Sequence, residues 1–495
     1  MFSLTSYRRE WLGNVRADLL AGVLVALALI PEAISFAIMA GVDPKVGLYA
    51  SFSIAVVSAI AGGRPGMISA ATAATAVVMT SLVRDHGLQY LLAATVLAGV
   101  IQVILGLLKL GDLIRYVSRP VMTGFVNALA MLIVIAQLPH LDPRHVPPLT
   151  YALVVAGLVI IYLFPRVTRV IPSALVAIII LTVASVFFGW DVHRVADMGE
   201  LPDHLPYFLL PDVPFDLTTL RIILPYSVAI AIVGLLESLM TQNVLDDLTD
   251  TRTDRNQECI GQGLANFVTG LIGGMAGCAV IGQSILNVQS GGRGRLSCFV
   301  AGVFLLICVV SLSDHVGLIP MPALVAVMIM MFVGTFSWSS FRAIRTSPRS
   351  ASIVMLATFL GVILTRNLAI GGLIGMLLSG FFFITRVTRL FRVTSDLSPD
   401  GRTRTYGVHG QLFFGSAEDF IDALDFREVV DKVMIDLSRA EILDVSGVQA
   451  LDRAILKFRR GGAEVEITGM NEASRSLVDR VAAQHKPAPD ELTQQ

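Results

Sequence analysis

Between Met1 and Arg392 the sequence is a series of apolar stretches parted by short polar breaks, and this pattern decides what the chain can become. A helix needs about 20 apolar residues to cross a hydrocarbon core, fewer where it is broken. Fourteen segments are expected. Seven lie at 18–39, 47–62, 69–83, 88–108, 118–138, 149–164 and 172–189. Seven more lie at 222–241, 259–275, 278–288, 296–313, 316–333, 350–365 and 368–385. The segments at 69–83 and 278–288 are too short or too polar to cross alone. Only 15% of the 495 residues are charged and 54% are hydrophobic, against about 25% charged in soluble domains. A soluble fold cannot hide that much apolar surface. An ordinary soluble enzyme and a disordered chain are therefore excluded. The net charge of -1 carries no signal for nucleic acid.

The basic residues orient the segments. With the amino terminus in the cytoplasm, that side carries Arg8, Arg9, Arg16 and the cations between even- and odd-numbered segments. These are Arg64, Lys109, Arg115, Arg119, Arg166, Arg169, Arg252, Arg255, Arg293, Arg295, Arg342, Arg345, Arg349, Arg386, Arg389 and Arg392. The outer loops carry only Lys45, Arg84, Arg144, Arg194, Arg221 and Arg366. The expectation is a multi-pass protein of the cell inner or plasma membrane with both termini cytoplasmic. No cleavable leader is expected, because the first apolar run lacks a small-residue cleavage site. Cys259, Cys278, Cys298 and Cys308 lie singly in apolar stretches and read as small packing residues, with no disulfide framework and no metal spacing.

The Pro-rich stretch Asp191–Leu220 divides the membrane part into two halves of seven, repeats of about 18–190 and 221–388. Seven is odd, so the second half enters from the opposite side, as in inverted-repeat transporters. Gly62, Gly63 and Gly66 precede the third segment as Gly273, Gly274 and Gly277 precede the tenth, each 211 positions on. Each half also has a glutamate in its first segment, Glu32 and Glu237.

A helix start leaves unpaired N–H groups and a positive partial charge. Two short helices from opposite repeats, meeting by their amino ends, can hold an anion without a buried cation. The candidate tips are Ala71, Thr72, Ala73 and Ala74, and Ala279, Val280, Ile281, Gly282, Gln283 and Ser284. Thr72, Gln283 and Ser284 add side-chain donors; close helix packing through small residues is the alternative reading of these stretches. An intramembrane carboxylate is costly and functional by default. Glu237 is the better candidate for a proton or cation site. Glu32, behind Pro31, either shares that role or caps donors at a distorted turn. Asn127, Gln137 and Asn266 read as interhelical hydrogen-bonding residues. His86, His140, His145, His193, His204 and His315 fall in or beside outer loops. No phosphate-binding loop or helical His pair is present, so no enzyme and no resident cofactor or metal is expected.

These stretches resemble the sulfate permease family, SulP, also called solute carrier family 26. Pro44-Lys45-Val46-Gly47-Leu48-Tyr49-Ala50-Ser51 is similar to its second-segment motif, and Ile30-Pro31-Glu32-Ala33 to the segment before it. Asn256-Gln257-Glu258 followed by Gly261, Gly263, Asn266, Gly270, Gly273 and Gly274 is similar to its ninth-segment pattern. The resemblance implies fourteen helices in two inverted repeats. Segments 1–4 and 8–11 would form a core moving against a gate, and homodimers are usual. Several vertebrate relatives have arginine where Gln283 stands, and the family's frequent proline near Ala276 is absent. Without that arginine, helix ends and neutral donors would hold the anion, and coupling to a proton, or to sodium, becomes attractive.

From about Arg402 charges recur every few residues, as in a soluble domain. Arg404 to Phe414, Lys432 to Leu437 and Ala463 to Thr468 read as strands, and Gly447 to Arg460 as an amphipathic helix. Asp436-Leu437-Ser438 and Asp444-Val445-Ser446-Gly447 resemble the STAS domain, expected over 402–485. It would follow a cytoplasmic segment 1–17 and a transport domain 18–392, and precede a tail 486–495. In the anti-sigma-factor antagonists a serine matching Ser446 is phosphorylated. At a helix start Ser446 either accepts phosphate or simply caps the helix, and the domain either regulates through a cytoplasmic partner or aids folding and trafficking. The expected function is secondary active transport of a small oxyanion, bicarbonate or dicarboxylate with a proton. A passive channel, an anion exchanger and a STAS-linked membrane sensor are the alternatives.

Overall fold

The computed structural model describes residues 4–112, 117–144, 146–168 and 171–484. Arg115, Arg169, His145 and the expected tail lie outside them. The chain divides into two compact units, Met1–Met376 and Leu377–Gln495.

In the first unit a short helix α1 (Leu4–Leu12) precedes α2 (Val15–Ala40), α3 (Pro44–Ala61), strand β1 (Ser69–Ala71), α4 (Ala73–His86), α5 (Leu88–Leu107), α6 (Arg119–Gln137), α7 (Pro148–Leu163) and α8 (Ser173–Phe187). Then come α9 (Leu217–Thr249), α10 (Arg255–Gly270), β2 (Gly277–Ala279), α11 (Ile281–Gln289), α12 (Arg295–Ser311), the short α13 (Ser313–Gly317), α14 (Met321–Thr335), the short α15 (Ser340–Thr346) and α16 (Arg349–Thr365); α17 (Leu368–Thr388) begins in this unit and ends in the second. Every expected segment contains a helix. Among the described residues, eight helices are long and apolar enough to cross a membrane and three shorter ones are apolar. The chain is a polytopic membrane protein.

Local chemistry sets the ends. The Asn14 side chain accepts from Ala17 N–H to start α2, and Gly41, in the left-handed region at φ 82°, closes it. Asp216 caps α9 through Thr219 N–H at 2.7 Å, so this 33-residue helix begins before the expected 222 and runs past 241. α2 runs through Pro31 without interruption.

Two packing groups follow from the helix neighbours. α10 lies on α5 and α3, α12 on α2 and α3, and α9 on α5 and α4. Separately, α14 lies on α6 and α7, α16 on α6, and α7 on α8. The first group draws on segments expected in the core and the second on segments expected in the gate, and α14 and α8 also touch α2. Close approach explains two motif glycines: a Cβ on Gly47 would stand 2.3 Å from Ala33 O, and one on Gly277 2.0 Å from Ala70 O. Ile179, Val183 and Phe187 on α8 and Leu364 on α16 point outward, as acyl chains require.

The second unit holds a four-stranded sheet in the order β3-β4-β5-β6, made of β3 (Arg392–Leu397), β4 (Thr403–Leu412), β5 (Lys432–Ile442) and β6 (Glu464–Thr468). β3 is antiparallel to β4, and the other pairs are parallel. The helices are α18 (Ala417–Asp422), α19 (Val445–Arg460) and α20 (Glu472–Gln484). Tyr406, Phe420, Val433, Ile435, Leu451 and Phe458 are buried together. β3 precedes the expected start at 402, because its exposed, polar face carries no buried-strand pattern.

Candidate anion site at two helix tips

Ser69, Ala70 and Ala71 pair antiparallel with Ala279, Cys278 and Gly277. α4 starts two residues after one strand and α11 two residues after the other, so the two helices leave one ladder in opposite directions. The ladder matches Ala70 with Cys278, which corrects the glycine alignment by three residues. The glycines serve local contacts instead: Gly63 packs on Asp254 O and Gly274 on Ala50.

At α4 the first ladder bond runs from Ala76 N–H to Thr72 O at 3.0 Å. The amides of Ala73, Ala74 and Thr75 precede it, and no side chain caps them. At α11 the first bond runs from Ser284 N–H to Val280 O at 3.0 Å, and again no side chain caps the tip. That leaves the amides of Ile281, Gly282 and Gln283. Gly282 is exposed, and a methyl group there would meet nothing within 4 Å. No lysine or arginine stands in either tip.

Other expected donors are committed to the scaffold. Ala71 N–H donates to Ser51 Oγ at 3.3 Å, Ala279 N–H to Ser238 Oγ at 3.0 Å and Val280 N–H to Ile68 O at 2.8 Å. Ser284 Oγ accepts from Ile68 N–H at 3.0 Å and reaches Ile68 O at 3.2 Å. These four commitments share one cause: a two-stranded ladder buried in a bundle must pair its outer edges as well as its inner ones.

Both glutamates reach the tips. Gln283 Nε2 donates to Glu32 Oε1, and both side chains are buried. Glu32 therefore caps no broken turn; its Oε2 has no partner. Glu237 is partly exposed, and its Oε2 accepts from Cys278 Sγ at 2.9 Å. Thr72 Oγ1 lies 3.1 Å from that sulfur and 3.1 Å from Thr75 Oγ1, which in turn donates to Ala276 O at 2.9 Å. Thr72 is thus turned away from its own helix amides toward Cys278. Composition gave no sign of this use of the thiol.

A buried polar frame holds the ladder. Asn266 Nδ2 donates to Gly277 O at 3.0 Å and its Oδ1 accepts from Gly277 N–H at 2.9 Å, while Nδ2 also reaches Gln102. Asn127 ties α6 to Ser337 and Ser340 as expected. Glu258 Oε2 accepts from Gly63 N–H and Arg64 N–H, fixing the entry to β1. Arg64 pairs with Asp246 at 2.9 Å, and Arg295 with Glu10 at 2.7 Å.

The sulfate permease family model matches residues 15–143 and 141–358, and the STAS domain model matches 397–491. The chain belongs to the sulfate permease family. It is 54% identical over 475 residues to "Putative sulfate transporter YbaR" of Bacillus subtilis, covering 96% of this chain and 98% of that one. The transmembrane domain of a cyanobacterium bicarbonate transporter, BicA, is 27% identical with a TM-score of 0.67, covering 73% of this chain and 97% of that one. The overall structure of SLC26A9 has a TM-score of 0.83 at 16% identity, covering 97% and 87%, a likeness of fold. The family is one of transporters, not enzymes.

In the STAS domain, Asp444 caps α19: its carboxylate accepts from Gly447 N–H at 2.9 Å and Phe414 N–H at 2.9 Å. Ser446 lies half-buried in the first turn and is not the cap. Asp444→Ala should destabilise this domain by about 1–2 kcal/mol and Ser446→Ala by far less, read as thermal unfolding of the full chain.

Proposed function

We propose that this member of the sulfate permease family is a secondary active anion transporter. It takes up a small oxyanion such as sulfate or bicarbonate, or a small dicarboxylate, together with a proton, by alternating access. The names of the relatives point to sulfate and bicarbonate. Free amides at two uncapped tips suit an anion, since backbone donors and helix dipoles supply positive potential without a fixed charge.

One observation carries the coupling: Glu237 is joined through the Cys278 thiol to Thr72 at the other repeat's tip. With Glu237 ionised, the thiol proton points at the carboxylate, and Thr72 is left to donate toward sulfur. A proton on Glu237 removes the need for that donor. The sulfur then donates back to Thr72, whose hydroxyl turns to the cargo. Charge balance favours the same order, because a proton offsets an anion entering low dielectric.

The test is uptake of labelled sulfate and bicarbonate into proteoliposomes, with pH and sodium gradients imposed separately. Each 1.4 kcal/mol is a factor of ten. One proton per anion therefore sustains about a tenfold accumulation per pH unit at zero membrane potential. Accumulation driven only by sodium would move the coupling to that ion. Downhill flux that no gradient can reverse would make the protein a channel.

A further inference from the structure

A second place in the membrane unit gathers positive charge. The carboxyl ends of α2, α4 and α6 and the amino ends of α9 and α14 surround a cavity of about 1230 Å³. Its ionisable lining is Arg84, His86, His140, Arg221, Tyr226 and Arg366, with no aspartate or glutamate. The three arginines are scattered through the sequence, on α4, on α9 and between α16 and α17. They are half of the six cations that the charge-orientation rule leaves in outer loops. Six stray charges have no reason to converge, yet three share one chamber.

Two of them are without a side-chain partner among the described residues. Arg84 pairs with its neighbour Asp85 at 2.9 Å. Arg221 and Arg366 are exposed and make no ion pair or side-chain hydrogen bond with any described residue. Arg366 also holds a left-handed backbone, φ 51° and ψ 28°, where glycine or asparagine is favoured. A strained, unpaired cation facing a cavity points to a use there.

The chamber stops short of the tips. Its floor is Ser35, Val77, Ala229 and Leu324, and no tip residue lines it. Ser35 lies one turn beyond Glu32 and Val77 one turn beyond Ala73 on their helices. Along α2 and α4 the chamber therefore ends about one turn from Glu32 and from the α4 tip.

We propose that Arg221 and Arg366, with Arg84, form an anteroom that gathers small inorganic oxyanions ahead of the helix-tip site. This rests on the anion-transport reading. A cleft lined by one sign of charge with low-dielectric walls raises the local concentration of its counter-ion. The effect weakens as salt shortens the screening length, from about 30 Å at 0.01 M to about 10 Å at 0.1 M.

Two measurements test it on the full chain. Sulfate uptake by R221Q/R366Q is compared with the parent at low and high ionic strength. The expected result is a KM raised about tenfold at low salt, at the low end of steering effects. The maximal rate and melting temperature stay unchanged, and the difference shrinks in high salt. The second measurement needs no transport: Ser81 lines the chamber and is replaced by cysteine with Cys308 changed to serine. Its reaction rates with an anionic and a cationic thiol reagent of equal size are compared. The parent should favour the anionic reagent, and R221Q/R366Q should lose that preference. An equal KM and salt response in both proteins, or no reagent preference in the parent, overturns the anteroom. Reagent preference without uptake of any anion by the parent overturns the transport reading instead.

Discussion

Glu237→Gln should abolish proton-driven accumulation while leaving exchange of labelled for unlabelled anion in place. Glutamine keeps the shape of the side chain and an oxygen that can accept from Cys278 Sγ, the contact seen at 2.9 Å. It cannot exchange a proton. With a pH gradient of one unit, the accumulation ratio should fall from about ten to about one, whereas tracer exchange at equal internal and external sulfate continues. Glu32→Gln is the matched control, because Gln283 Nε2 still finds an acceptor. If Glu237→Gln still concentrates sulfate and Glu32→Gln does not, the coupling group is Glu32. Cys278→Ala should resemble Glu237→Gln, and Cys278→Ser should retain coupling.

The second large effect is a contrast between two glycines that receive the same methyl group. A Cβ on Gly277 would lie 2.0 Å from Ala70 O and 2.7 Å from Ile54 Cδ1. Backbone cannot rotate out of the way as a flexible side chain can. Overpacking of a tight interior costs about 1–3 kcal/mol and occasionally more, and this position belongs at the upper end. Gly277→Ala should lower the melting temperature and abolish uptake. Gly282→Ala adds its methyl to open space, so the fold should stand unchanged. The methyl instead crowds the exposed approach to the α11 amides, and the KM for anion should rise. A Gly277→Ala protein with parental stability and uptake would mean that the ladder does not shape the site.

Helix positions were readable because most apolar runs are long enough to leave little choice in a membrane. The three-residue strands were not. Ser69-Ala70-Ala71 and Gly277-Cys278-Ala279 show no alternation, and their pairing depends on partners about two hundred residues away. For the same reason the hydrogen bonds that occupy four of the expected tip donors were not legible. Ser51, Ser238 and Ile68, which occupy those donors, lie on other elements. Cys278 reads as a packing residue because its thiol is small and apolar in composition. Only its neighbours Glu237 and Thr72 reveal a polar task. Arg64, Glu258 and Arg295 read as topology charges or motif letters until the folded chain brings their acceptors and donors alongside. At the start of α19, Asp444 and Ser446 were both chemically able to cap, and the choice fell to the residue that also reaches Phe414 N–H.

The ladder between β1 and β2 stitches together the half-sites of two repeats. Neither tip can part from the other without breaking paired strands and baring their amides. Under the proposed alternating access, the shift that presents the cargo first to one compartment and then to the other would carry both tips as a single block, with opening and sealing left to the rim. Inbound and outbound anions would then meet one and the same grip. Their discrimination would be fixed by that grip and would not depend on the direction of travel.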